Sequence, residues 1–503
     1  MKQTTAIFST TALAFFSFLW IKALYPSASG LPDTDFFWHI AYGQWMLEHG
    51  TIPPTDTFSW TFSGTPYQLT QWGGELIMGW AYEHWGLTGT RALSVLLAGI
   101  TLGFSWAAAK QYVNTNYALA IASICNLVQL VTPMRPQLFS FALISVGLYL
   151  LVRWLRTGAL RYLTIYAAMM ALWVNLHGAF VMGLGMIGLV GLGVTIDRWK
   201  DNPFSHQSVL TIWVSIAGAT IASLLNPHGV DAIANVFMIS GLESSKVISE
   251  WKPVNLTTDL GWFYLLNLVP FVALISLGSR IPAPHALLAG AFLVFGILAN
   301  RQVPMCAAAM APLMAIALAR SPQFAAMNTN PRDPRRPLAH ALAMVAMGAL
   351  LIPLSAARAS NEDKERSNRY PVEATAFLEQ ENLTNRVLSD TLEASWLIHK
   401  GIPVFVDGRM DLYRDRFYFE WYLAARAAPG WDSLLEQYAP SALLLRNDMA
   451  IRQAAMATGA WKQVYQDNKY SVLVPAASHL AEVASVAPEY LDEDGRMQRE
   501  YLP

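Results

Sequence analysis

Two aspartates and a histidine open the polar stretch that follows the first apolar run, DTDFFWHIAYGQWMLEHG at residues 33–50. Asp33 and Asp35 are one residue apart and on a helix do not share a face, whereas Asp35 and His39 stand at i,i+4 and do. A carboxylate in such a place can act as general base toward an acceptor hydroxyl. Asp35 with His39 also offers ligands to a divalent metal such as Mg or Mn. The plainer alternative is helix capping, with Asp33 or Thr34 as N-cap and Asp35–His39 as a surface pair. The cap rules predict a helix from about Asp35 to His49, stopped by Gly50 and lying along the membrane surface. Phe36, Phe37, Ile40 and Trp45 would then face lipid or protein. Glu75, in QWGGELIMGW, adds a carboxylate later in the same loop, where a lone Glu also reads as a solvated helix-start residue.

Three short turns carry a cation or an imidazole: Arg135 in TPMRPQ, His177 in NLHGAF and Arg301 in ANRQVP. A guanidinium suits bidentate contact with phosphate. The competing role is anchoring to lipid headgroups. The loop at 226–259 adds His228, Lys246, Glu250 and Trp251. An acid close to Lys and Trp can contact an acceptor or a sugar, although an interfacial amphipathic helix with Trp at headgroup level has the same composition. Near the C-terminus, VFVDGRMDLYRDR places Asp407, Arg409 and Asp411 after a strand-like run, where Asp-Gly is first of all a turn signal.

The elements that must position these residues are mostly membrane spans. The chain is 54% hydrophobic and 14% charged, against about 25% charge in a soluble domain. Apolar runs long enough for a bilayer core recur at eleven places, near 5–22, 92–109, 116–133, 137–153, 162–176, 178–196, 208–225, 260–278, 284–299, 303–320 and 337–356. The first is read as a retained helix rather than a cleaved signal. With the N-terminus inside, the inner loops hold twelve Lys and Arg and the outer loops six, Lys22 among them. That bias predicts N-in and C-out. The segment 23–91, the loop 226–259 and the tail from 357 would all face outward. In the tail, β-like runs (NRVLSD, PVFVDG, SALLLR, KQVYQDN, YSVLVP) alternate with helical patterns (RFYFEWYLAARA, WDSLLEQY), which predicts a small α/β domain. The expected architecture is a polytopic α-helical membrane domain over 1–356 that includes the outer loop 23–91. An α/β domain over 357–485 and a polar tail over 486–503 follow. The net charge of −1 argues against nucleic acid as a partner. Cys125 and Cys306 lie inside apolar runs, which predicts no disulfide framework.

Together with this layout, DTDFFWHIAYGQWMLEHG, MRPQLFS, WVNLHGAFVMGLG, LNPHG, VISEW and YPVEATAFLEQ…VFVDGRMDLY resemble the GT-C superfamily. These are membrane glycosyltransferases that use polyprenyl-phosphate-linked sugars. The likeness is to a bacterial branch of that superfamily and covers nearly the whole chain. It implies an acidic base or metal ligand in the first outer loop, which falls here on Asp33 and Asp35, with Glu75 as a second acid. ISE at 248–250 is similar to the Ser/Thr-x-x-Glu type motif of oligosaccharyltransferases. The tail has no Trp-Trp-Asp motif, which counts against protein N-glycosylation of that kind.

The expected function is therefore sugar transfer from a polyprenyl-phosphate carrier to a glycan, lipid or protein acceptor on the periplasmic face of a bacterial inner membrane. Asp33 or Asp35 would be the base, and Arg135, Arg301, His177 or a metal would stabilise the leaving phosphate. A different class of role is a non-catalytic component of an envelope polysaccharide assembly or export system. A transporter is disfavoured by the lack of charged residues near the middle of the spans.

Overall fold

The computed structural model describes residues 10–28, 33–199, 208–324 and 369–481. The expected span at 337–356, most of the basic linker before it and the polar tail at 486–503 lie outside the described residues. In chain order the helices are α1 Thr10–Ala28, α2 Phe36–His49, α3 Trp72–Ala109, α4 Thr115–Cys125, α5 Gln137–Thr157 and α6 Arg161–Leu176. They continue with α7 Phe180–Trp199, α8 Val209–Ala222, α9 Val230–Ser240, α10 Asp259–Ser276, α11 Ala283–Leu298 and α12 Val303–Arg320. After these come α13 Val372–Gln380, α14 Thr391–His399, α15 Met410–Ala425, α16 Trp431–Tyr438 and α17 Ala450–Ala457. The strands are β1 Val387–Ser389, β2 Ala442–Arg446, β3 Trp461–Gln466 and β4 Tyr470–Pro475.

The chain divides into two compact units. The first comprises 1–29, 70–237 and 246–358, and the second 30–69, 238–245 and 359–503. The sequence reading kept all of 23–91 with the spans, yet residues 30–69 fold with the tail.

Unit one is the helical bundle. Ten of the expected spans coincide with its helices, and five described helical segments are long and apolar enough to cross a membrane. Helix α12 is its core, buried from Val303 through Ala317. Its run of alanines lets neighbours approach closely, and the Ser105 and Ser145 hydroxyls both donate to the Ala308 carbonyl. Lys22, expected as an outer-loop cation, instead lies within α1. It is 1% exposed and its Nζ donates to the Thr132 carbonyl at 2.7 Å. Helix α1 runs on past the expected end of the span, and the carbonyl offsets the desolvation of the ammonium.

Unit two is built on a four-stranded sheet in the order β1-β2-β4-β3. β1 and β2 are parallel, and the β2–β4 and β4–β3 pairs are antiparallel. Four of the five expected strands form. PVFVDG contributes only bridges at Val404, parallel to Val387 on one side and to Ser59 on the other. Through that second bridge the segment 50–69 extends the sheet edge. Helix α2 matches its expected bounds, and Gly50 closes it in the left-handed conformation (φ 65°). Its apolar face meets protein: the Phe37 ring packs on Tyr370, Trp396 and His399 of the tail.

Candidate active site

In unit one, close backbone contacts gather the turns singled out by sequence. A Cβ on Gly73 would lie 2.8 Å from the Asn175 carbonyl oxygen, and one on Gly74 2.5 Å from that of Leu176. The absent side chains let the first turn of α3, where Glu75 is buried, rest on the residues that precede His177. Asn175 ties the corner together. Its Oδ1 accepts from Trp72 Nε1 at 2.9 Å and from Asn226 Nδ2 at 3.1 Å. Asn226 Oδ1 accepts the His228 backbone N–H at 2.9 Å, which pins the turn bearing His228 to the same corner.

The His177 ring is oriented by two donors. The Ala179 N–H and the Ser140 hydroxyl both reach Nδ1, at 3.2 and 2.8 Å, while Trp173 Nε1 donates to Ser140 Oγ at 2.8 Å. This network assigns the ring proton to Nε2. Burial, reinforced by the charge of Arg301, pushes the imidazole pKa down to about 3, so His177 is neutral at physiological pH.

Arg135, Glu250 and Arg301 form one group. Arg135 Nη1 lies 3.1 Å from Glu250 Oε2, and Arg301 Nη1 lies 3.9 Å from Oε1. The Arg301 guanidinium stacks 4.4 Å over the Trp251 ring. Two guanidinium charges face one carboxylate, and Glu250 is 35% exposed. Lys246 is exposed in the 3-10 turn Glu243–Val247, upstream of this group.

In unit two, the acid loop divides its labour. The Asp33 carboxylate accepts the Asp35 N–H at 2.8 Å, and the Asp33 carbonyl accepts the Phe36 N–H. Asp33 thus shapes the turn into α2. Asp35 stands at the N-cap position without a side-chain cap bond. Three residues of the tail hold this loop: Tyr370 donates to the Asp33 carbonyl at 3.1 Å, Ser395 Oγ accepts the Trp38 N–H at 3.0 Å, and Gly408 lies against the Asp35 carboxylate. His39 is buried and its ring lies on Trp38. Among the described residues no group of three or more His, Cys, Asp or Glu is placed to hold a metal.

The residues that sequence reasoning missed surround Arg409. Its guanidinium donates to both oxygens of Asp407, to Asp56 and to the Tyr42 hydroxyl. Tyr413 also donates to Asp407, and Ser59 to Asp56. Asp407 and Arg409 had stood out as turn residues. Asp56, in TIPPTDTFSW, read as loop, and the usable signal was an acid in an aromatic-rich segment facing an Arg-rich motif far along the chain.

No protein-family model matches the chain, and no curated protein matches it. Among solved structures, ArnT from Cupriavidus metallidurans bound to undecaprenyl phosphate aligns over 93% of this chain and 97% of its own, with a TM-score of 0.51 and 15% identity. The oligosaccharyltransferase of Archaeoglobus fulgidus in its apo form aligns over 86% of this chain and 69% of its own, with a TM-score of 0.51 and 11% identity. AglB of the same organism, in complex with an inhibitory peptide and a dolichol-phosphate, gives the same TM-score at 12% identity. The chain therefore shares its fold with these solved structures.

Proposed function

We propose that the protein transfers a sugar from a polyprenyl-phosphate carrier to an acceptor on the periplasmic face of a bacterial inner membrane. The carrying observation is the fold shared over 93% of the chain with ArnT, whose structure is bound to undecaprenyl phosphate. The polar groups suit that chemistry. Arg135 and Arg301 converge on Glu250, and because a guanidinium suits bidentate contact with phosphate they are the phosphate ligands in this reading. His177, neutral and a donor through Nε2, adds a hydrogen bond without competing for charge. As the glycosidic C–O bond breaks, charge gathers on the phosphate, and donors fixed beforehand stabilise it most in the transition state.

Asp35 is the base. The Asp33 carboxylate accepts the Asp35 N–H and shapes the turn into α2, while the Asp35 carboxylate is only partly buried and lies against Gly408. Attack by the deprotonated acceptor opposite the phosphate would invert the anomeric centre. The test is direct titration of the detergent-purified protein with undecaprenyl phosphate. Arg135→Gln/Arg301→Gln should bind it at least tenfold more weakly, a loss on the order of 1.4 kcal/mol. Equal affinity in this double variant would sink the donor assignment.

A further inference from the structure

No Asp or Glu occurs between Glu83 and Asp197, although that stretch carries Arg91, Lys110, Arg135, Arg153, Arg156 and Arg161. The last three collect in the first unit, where α5 gives way to α6. Arg153 Nε and Nη2 donate to the Tyr162 phenol oxygen at 3.1 and 2.9 Å, and Arg161 Nη2 reaches the same oxygen at 3.2 Å. Arg153 Nη1 also donates to Gln111 Oε1, and Arg156 lies 5.7 Å over the ring of the adjacent Tyr112. Two like charges gathered on one oxygen repel each other. Among the described residues no carboxylate pairs with Arg153, Arg156 or Arg161. The phenol takes three N–H bonds, and its own O–H meets no acceptor among the described residues. This corner is therefore rich in donors and short of an anion. Helix α5, of 21 residues, sets it roughly 30 Å from Arg135.

We propose that this corner binds the phosphate of an anionic phospholipid headgroup, at the end of α5 remote from the Arg135 turn. It is a second phosphate site and stands independently of the transferase reading. A phosphodiester has two free oxygens that accept only, so it can take N–H donors from both guanidinium groups and the Tyr162 O–H together. Its charge offsets the repulsion between Arg153 and Arg161. A zwitterionic headgroup brings its own ammonium and offsets less. The neighbouring surface supplies the rest of the lipid's shape. Arg161 and Ile165 are four residues apart on α6, and Leu172 follows seven later, so the three share one face. Ile165 and Leu172 are each more than half exposed, as is Leu160 at the same end. From Arg161 to Leu172 this face runs roughly 16 Å, about the half-thickness of a bilayer core. An acyl chain can lie along the stripe with its phosphate at the arginines.

Native mass spectrometry of the full-length, detergent-purified protein titrated with phosphatidylglycerol tests this. The tightest-bound lipid should be held about fivefold more weakly by Arg161→Gln and about twentyfold more weakly by Arg153→Gln/Arg161→Gln. Arg161 is exposed, so its single variant keeps the packing of α6 and gives a clean reading even where the double variant is unstable. Tyr162→Phe keeps the ring, removes only the O–H, and should weaken binding a few-fold. Arg198→Gln/Arg280→Gln removes two cations elsewhere on the same unit and should leave the tightest site unchanged. Unchanged affinity in Arg161→Gln overturns the proposal. An equal loss in the Arg198→Gln/Arg280→Gln control overturns it too, because any surface charge would then do. Phosphatidylethanolamine bound as tightly as phosphatidylglycerol overturns the anionic assignment. Displacement of the lipid by equimolar inorganic phosphate would make this a free-phosphate site and overturns the lipid assignment.

Discussion

Arg409 in the second unit and the Arg135–Arg301 pair in the first both face carboxylates, but they meet them differently. Arg409 is 1% exposed at its side chain, meets Asp56 and Asp407 at 2.5 Å, and has donors on both acids and on Tyr42. Arg135 and Arg301 share one half-exposed carboxylate, and the second contact is stretched to 3.9 Å. A saturated buried network leaves no valence for a substrate and fastens chain segments together. A partly exposed group held by longer contacts can still take an anion. Charge alone does not separate the two cases; burial and contact length do.

The sharpest way to break this comparison is Arg409→Met, which strips two buried carboxylates of their cation. Unfolding of the second unit should be eased by about 3–5 kcal/mol, read by limited proteolysis of the tail in denaturant. A loss below about 1 kcal/mol, the scale of a surface pair, would show that the network fastens nothing.

A second test uses Glu393, a buried carboxyl near Arg446 in the second unit. Arg446 Nη1 stops 3.7 Å short of Glu393 Oε1. Burial first, then the nearby Asp390, raise its pKa from 4.5 to about 8. The folded state therefore holds this proton more tightly than the unfolded chain. The stabilisation is complete below pH 4.5 and is lost as pH rises through about 8. Glu393→Gln should flatten the decline in tail stability across that window, followed by thermal unfolding at stepped pH. An unchanged slope would mean that Glu393 ionises in the fold as it does in the unfolded chain.

The smallest effect is expected at Glu250. Replacing it by Gln removes a competitor for Arg135 and Arg301, so undecaprenyl phosphate should bind a few-fold tighter, within about 1 kcal/mol. Weaker binding would make Glu250 a brace that holds the guanidinium groups and would place this group closer to the Arg409 kind.

Much of the architecture was legible because it is periodic. The spans, the strands NRVLSD, SALLLR, KQVYQDN and YSVLVP, and the stop of α2 at Gly50 follow from local patterns. The polar turns were legible as residue types: Arg135, Glu250 and Arg301 stood out before any contact was known. Lys22 misled because hydropathy locates a span better than it locates the end of a helix, and α1 continues past it. PVFVDG misled because a strand-like run formed only single bridges.

Composition and periodicity by themselves determined that this chain is a helical membrane bundle with an α/β tail and polar, reactive turns. Those properties are summed over neighbours in sequence, where period and propensity act. Only the tertiary structure decided which acid shapes a turn and which has its side chain against Gly408. It alone revealed that Arg409 meets Asp56 across 353 positions and that residues 30–69 fold with the tail. Pairings at that separation leave no local pattern. They are chosen by packing and by the demand that buried polar groups be satisfied, and both exist only once the chain is folded.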